Sequence, residues 1–462
     1  MRCLFFILFL SALSISHAQQ KTTLEEGFMS PPDSIRTGTF WYWISDNISK
    51  EGAIADLHAM KKAGINLAFI GNIGPSYHSS SNHPYGKGKF MSEEWWQVMH
   101  AALKTATELD IEIGIFNSPG WSQSGGPWVK PEQSMRYLAS SELVVRGPKK
   151  ISEKIPAPAH DFQDVKVLAF KARRDNLFDR GSVSFSSNIK GFVDYQYALP
   201  AGAESHITLS LPQAETVRGI LIHPAYYLHT QCLLQVRDGN EYKTIKEFPA
   251  SRDATIDPQR GFDQLAPIVE SLPETTGSQF RLVFKNTKEN SIISSITLTT
   301  APVVHRYPAK TFAKPENSTA APASFPDPSL FVAPEQVSDI SAHLAADGTL
   351  NWDVPEGDWV ILRTGMTPTG VKNSPAPPQA TGLETDKLSK EHIHAHFDAF
   401  LGEIHKRIPE ADRKCWKYTV LDSYEKGGQN ITDNFLELFK LHYGYDPTPF
   451  LPTYYGYPVG SY

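Results

Sequence analysis

"TGTFWYWISDNISKEGAIADLHAMKKAGINLAFIG", residues 37 to 71, holds two apolar runs joined by an amphipathic one. "TGTFWYWI" predicts a strand. "DNISKEGAIADLHAMKKAG" predicts a helix with Ile54, Leu57 and Met60 on one face, Asn47 or Ser49 as its cap and Gly64 just past its end. "INLAFIG" is apolar throughout, as a strand buried on both faces of a parallel sheet must be. The same alternation continues after a polar loop. Ser92 opens the helix "SEEWWQVMHAALKTATELD", and "IEIGIFN" follows as a third strand. This β-α-β-α-β order predicts a parallel α/β sheet or barrel.

Beyond it the pattern changes. From 149 to 305 the runs are short, alternating and bounded by turns, among them "HITLSL", "VRGILIH" and "FRLVFKN", with Asp238-Gly239 as a turn signal. They predict an inserted antiparallel β-sandwich. Residues 306 to 337, rich in Pro and Ala, read as a linker. Strand-like text returns in "GTLNWDVPEGDWVILRTG". The helix–strand–helix order then resumes with "SKEHIHAHFDAFLGEIHKRI", "CWKYTVLDSYE" and "TDNFLELFKLHYG". The expected architecture is a (β/α)8 barrel whose first part is 25–148 and whose second is 338–462, interrupted by the sandwich. About four or five α/β strands are legible, fewer than a closed barrel takes, so the barrel is expected to be incomplete in this sequence.

Length and composition set outer bounds. A chain of 462 residues implies about two or three domains. The net charge of −6 and the lack of a basic stripe argue against nucleic acid and anionic membrane as partners. Aromatics make up 11%, including nine Trp, which suits sugar-stacking clefts as well as an ordinary core. Residues 1–18, with Arg2 before an apolar run and Ala18 at the cut, read as a signal peptide, so the mature protein is expected to be secreted or periplasmic. Cys232 and Cys415 then remain, and unpaired buried thiols are the expected state.

Loops after the carboxyl ends of parallel strands form the sites of such folds. The third strand is followed by "NSPGWSQSGGPWVKPEQSM", where Asn117, Trp121 and Trp128 could line a sugar subsite or belong to a rigid self-packed loop. "GWSQS" lacks the second glycine of a nucleophile elbow, and "GKGKF" is not a phosphate loop. His78 and His83 have no metal-ligand spacing and read as a solvated loop. "WKYTVLD" reads as a central strand, with Asp422, Tyr424 and Glu425 just past its end. Two carboxylates at such a place are what glycoside hydrolysis needs, one to protonate the leaving oxygen and one to act on water or sugar. An acidic turn is the alternative. In "ATGLETDKLS", Glu384, Asp386 and Lys387 could contact substrate or calcium, or could cap the helix that begins near Ser389.

Together, "PPDSIRTGTFWYWISDNISKEGAIADLHAMKKAGI", "MSEEWW", "NSPGWSQSGGPWVKPEQSM", "TGLETDKLS" and "LDSYEKGGQNIT" resemble the family 106 glycoside hydrolases, the α-L-rhamnosidases. The resemblance implies a barrel with β-sandwich accessories and inverting removal of terminal α-L-rhamnose, with calcium near the sugar and no organic cofactor. Glu425 would be the general acid, with its partner base beyond Tyr462. Asp422 would hold a sugar hydroxyl. The sequence departs from the family pattern at Leu109-Asp110, where Leu-Gly is expected. A glycosidase for another sugar, or a non-catalytic carbohydrate-binding protein, are the alternatives.

Overall fold

The structure, a computed structural model, describes residues 24–32, 35–75, 84–172, 175–191, 196–254, 261–288, 291–315, 322 and 326–461. The expected signal segment 1–18, His78 and His83 lie outside the described residues. The chain forms two compact units. One comprises Met1–Asn72, Ser81–Phe116 and His405–Val420; the other comprises Ile73–Ser80, Asn117–Ile404 and Leu421–Tyr462.

The first unit carries the α/β alternation. Strands β1 (Gly38–Ile44), β2 (Leu67–Ile73), β3 (Glu112–Phe116) and β16 (Trp416–Val420) form one sheet in that order. β2 pairs with β3, and β3 with β16, in parallel. Helix α1 (Lys50–Lys62) starts where Ser49 Oγ accepts from the Gly52 amide, and α2 (Glu93–Leu109) starts where Ser92 Oγ accepts from the Trp95 amide. α2 ends at Asp110 in the left-handed conformation, φ 53°. This explains the departure from Leu-Gly: the position needs a residue that tolerates αL, and aspartate does so more readily than most side chains. Leu57, Leu103, Met99, Ile70, Ile113 and Ile115 are fully buried, each leucine contributing roughly 1.5–3 kcal/mol by leaving water. Trp95 is buried too, and its indole N–H donates to Asn72 at 2.8 Å. β16 differs from the central strand its sequence suggests. Among the described residues it pairs only with β3, and Tyr418 is 43% exposed. An apolar run reports which faces are buried, not how many neighbours a strand has.

The second unit is mostly antiparallel β. Strands β4 (Arg136–Lys154), β5 (Gln163–Phe170), β14 (Ser338–Asp339) and β15 (Thr349–Pro368) make a four-stranded sheet in the order β14-β5-β15-β4. β6 (Ser182–Phe185), β7 (Lys190–Gly191), β8 (Tyr197–Leu199), β9 (Ser205–Pro224), β10 (Tyr227–Asp238), β11 (Glu241–Asp253), β12 (Ile268–Lys285) and β13 (Ser291–Thr299) make an eight-stranded one. Its hydrogen bonds connect all eight strands, seven along the path β11-β10-β12-β9-β13-β8-β7 and β6 as a branch on β9, rather than forming two separate sheets. Side chains from β10 and β13, which are not neighbours on that path, share one core with β9 and β12, so the sheet curls around it. Register shifts between Ser271 and Thr275, and between Gly277 and Gln279, supply the bend.

These sheets correct the expected boundaries. β layers begin at Arg136, not 149, and do not end at 305. β15, placed by sequence in the second part of a barrel, pairs along its length with β4, from Thr349 opposite Lys154 to Pro368 opposite Arg136. A strand's pattern is local but its partner is not, and nothing in either run names the other. The intervening 306–337 segment is not featureless. It holds α3 (Tyr307–Lys310) and 3-10 turns at Pro328–Leu330 and Pro334–Gln336. Helix α4 (Lys390–Phe397), capped by Ser389, runs through a π turn at Asp398–Gly402 and on to Arg407; α5 (Phe435–Tyr443) ends at Gly444. Cys232 and Cys415 are free and buried, and burial raises both thiol pKa values.

Candidate active site

Three loops of the second unit meet through hydrogen bonds. The first continues from β3 and begins at Asn117, which is 9% exposed. Its side-chain amide donates to the Gln123 carbonyl at 2.7 Å, and Ser118 Oγ donates to the Ser122 carbonyl at 2.6 Å. The tight course needs Gly120, φ 83°, where a Cβ would come within 2.7 Å of the Ser374 backbone. Asn373 and Ser374 stitch the loop from outside: Asn373 donates to the Pro119 carbonyl at 2.9 Å, and the Ser374 amide donates to Ser122 Oγ at 3.0 Å.

Within this loop the two tryptophans part company. Trp121 is 37% exposed. Trp128 is built into the packing. Its indole stacks on Phe400 with centroids 5.7 Å apart, and its N–H donates to His396 Nδ1 at 3.0 Å. His396 in turn donates from Nε2 to the Asn117 carbonyl at 2.9 Å. This pair of bonds selects the neutral Nε2–H tautomer. Burial pushes the His396 pKa down to about 4, with Lys387 adding to the effect.

The second loop continues from β16. Asp422 Oδ1 accepts from the amide and hydroxyl of Ser423 at 2.8 and 3.1 Å, while its carbonyl accepts from Gln123 at 3.5 Å. That last bond joins the first two loops. Lys426 is buried and bonds to Ser374 Oγ. Gln429 is buried, and Asn430 is held at both ends of its amide: Oδ1 accepts from the Leu138 amide and Nδ2 donates to the Thr311 carbonyl, each at 2.8 Å. Between these anchors Tyr424 is 56% exposed, and Glu425 is exposed as well. The Glu425 amide donates to the Ser423 carbonyl at 3.1 Å. Among the described residues its carboxylate has no hydrogen-bond or ion-pair partner.

The third loop is "TGLETDKLS". Glu384 is fully buried. Its Oε2 accepts from Ser124 Oγ at 3.0 Å and Lys387 Nζ at 2.8 Å; its Oε1 has no partner. Lys387 Nζ also lies 5.4 Å from the Tyr424 ring centroid, which carries the third loop to the second. Burial raises the Tyr424 pKa, and the Glu384 charge raises it further.

Beneath these loops runs a charge network of which the sequence singled out only Asp386. Arg136, 1% exposed, donates to Asp386 at 3.0 Å and to Asp433 at 2.8 Å. Asp386 also accepts from Gln429 at 2.6 Å and Thr432 at 2.7 Å, and Gln429 accepts from the Lys387 amide at 3.0 Å. Asp433 accepts from His392 Nε2 at 2.7 Å. Burial works against the Asp433 charge, yet the bonds from Arg136 and His392 hold its carboxyl below the usual range. Arg136, Ser124, Gln429, His396 and Lys426 are thus the missed residues. Ser124, Lys426 and Gln429 lie inside the two loops already singled out, while Arg136 and His396 gave no signal beyond a polar residue in an ordinary segment.

The structure therefore joins Asn117, Asp422, Tyr424 and Glu384 by contacts, sets Glu425 on the same anchored loop, leaves Trp121 partly open and turns Trp128 inward. Glu425 thus presents an exposed carboxyl group, and Glu384 a buried one with a spare acceptor on Oε1. Among the described residues no cluster of three or more His, Cys, Asp or Glu is arranged to hold a metal, and the ammonium of Lys387 bonds one oxygen of Glu384.

A family model described as alpha-L-rhamnosidase matches residues 29–462. A solved structure of a rhamnosidase from Novosphingobium sp. PP1Y is similar with a TM-score of 0.73 and 26% identity, over 96% of this chain and 43% of that one. A curated protein of Formosa agariphila named "Putative beta-glucuronidase" is 26% identical over 99% of this chain and 28% of its own length. The chain spans less than half of either relative.

Proposed function

Because the chain belongs to the alpha-L-rhamnosidase family of glycoside hydrolases, we propose that the protein removes terminal α-L-rhamnose from polysaccharides or rhamnosides by inverting acid–base hydrolysis. Glu425 is the general acid in this reading. It gives its proton to the glycosidic oxygen as the bond to the anomeric carbon breaks, and water completes the displacement from the opposite face. A second carboxylate activates that water; among the described residues none is assigned to the role. Glu384 Oε1 and Asp422 accept sugar hydroxyls, and Asn117, Tyr424 and Trp121 border the sugar. The observation that carries the reading is the Glu425 carboxylate, unpaired on a loop where Asp422, Lys426, Gln429 and Asn430 are each tied down.

The four-stranded sheet of the first unit is read as part of a (β/α)8 barrel, supported by its parallel pairs and intervening helices. The signal-like residues 1–18 support a secreted or periplasmic protein. Among the described residues no helix is long and apolar enough to cross a membrane. The substrate is a carbohydrate, with no nucleic-acid partner.

The test is rhamnose release from an aryl α-L-rhamnoside by the full-length protein, beside Glu425→Gln. Activity in the parent and a loss of about a hundredfold or more in the variant is expected. Unchanged activity in the variant would return Glu425 to an ordinary acidic turn. Turnover of an aryl β-glucuronide instead, the sugar in the Formosa agariphila relative's name, would overturn the rhamnose assignment.

A further inference from the structure

Phe312 stands where glycine or asparagine ordinarily would. It follows Thr311, the residue that closes α3, and its backbone is left-handed, φ 62°. That conformation is unfavourable for a bulky side chain. It is nevertheless pinned on both sides. Thr311 accepts from Asn430 Nδ2 at 2.8 Å, and the Ala313 carbonyl accepts from the Asp263 amide at 2.9 Å. The folded state gains little from the ring in return, since Phe312 is 52% exposed.

The exposed ring lies against the loop of Glu425. A Cβ added to Gly428 would sit 3.4 Å from Cβ, Cγ and Cδ1 of Phe312. Gly428 is three residues past Glu425. Strain held in place against the loop that carries the proposed acid, in a residue left half exposed, is the pattern of a functional position.

We propose that Phe312 forms the aromatic wall of the leaving-group subsite, stacking on the ring of the group that departs when Glu425 protonates the glycosidic oxygen. The ligand class is a flat apolar face, either an aryl aglycone or the C–H face of a second sugar. Phe312 is a specificity residue, and the inference rests on the reading of Glu425 above. It would come from the segment between the β layers, so the β unit, not the α/β sheet, would select the aglycone.

The experiment compares 4-nitrophenyl α-L-rhamnoside, a rhamnosyl-glucose disaccharide and methyl α-L-rhamnoside as substrates of the full-length protein, Phe312→Asn and Phe312→Tyr. Asparagine tolerates the left-handed backbone, so Phe312→Asn should melt no lower than the parent. The expected result is a KM increase of about tenfold for the aryl or disaccharide substrate in Phe312→Asn, little change for the methyl glycoside, and recovery in Phe312→Tyr. An increase for only one of the two ringed substrates identifies which leaving group the wall serves. Equal effects on all three substrates, or none, would overturn the inference and leave the rhamnosidase reading standing. A parent that turns over none of them would overturn both.

Discussion

His396 donates from Nε2 to the carbonyl of Asn117 at 2.9 Å, and so ties the helix α4 to the first residue of the loop that follows β3. That bond survives protonation of the ring, but Nδ1 must stay unprotonated to accept from the Trp128 indole at 3.0 Å. Protonation would set two donors against each other.

This makes stability depend on pH. The folded pKa of His396 is depressed to about 4, below its ordinary value of 6.5. Between these values the unfolded chain binds a proton that the folded one refuses, so stability is present above pH 6.5 and is lost as pH falls towards 4. The single-site contribution is on the order of 3 kcal/mol. His305, also lowered to about 4 by burial, adds to the same window. Denaturant unfolding at pH 4.5 and 7.5 should show the difference. In His396→Gln, whose amide can donate to Asn117 and accept from Trp128, the slope should shrink by one proton. An unchanged slope would sink the assignment.

Arg136 is the hub on which two loops depend. Replacing it with alanine leaves Asp386 buried with its charge uncompensated, and a loss of about 3–5 kcal/mol is expected in equilibrium unfolding. Arg136→Lys should recover only part of it, because one ammonium cannot span Asp386 and Asp433 as the planar guanidinium does. Full recovery by lysine would show that charge alone, not the fork, is what the network uses.

Glu384 presents a free Oε1 while Lys387 and Ser124 hold Oε2. If Oε1 accepts a substrate hydroxyl, Glu384→Gln should lower kcat/KM by about ten- to a hundredfold, the loss of one charge-assisted hydrogen bond, and should also lower the melting temperature, because the Lys387 ammonium loses its buried carboxylate. A variant that loses its fold but, when folded, retains its kcat/KM would show that Glu384 is structural.

Much of the fold was readable locally. Ser49 and Ser92 cap the helices they were expected to cap, and "INLAFIG" and "IEIGIFN" are the buried parallel strands their apolar text implies. The α/β alternation emerges because each element's period and caps lie within its own residues. The placement of Asn117, Asp422 and Glu425 after strand ends was legible for a related reason: a strand's end fixes where the loop that follows it begins.

Long-range pairing was not readable in this way. β15 belongs with β4, about two hundred residues earlier, although its alternation would fit a strand in any antiparallel sheet. Trp128 and Trp121 carry the same side chain in one loop, and only the arrival of Phe400 and His396 turns the first inward while the second stays partly exposed. Arg136, Asp386 and Asp433 come from three separated segments, and each alone reads as a solvated charge. Burial makes them partners, because charges withdrawn from water must find one another or forfeit their solvation. Periodicity is a property of neighbours along the chain, whereas desolvation is a property of neighbours in space.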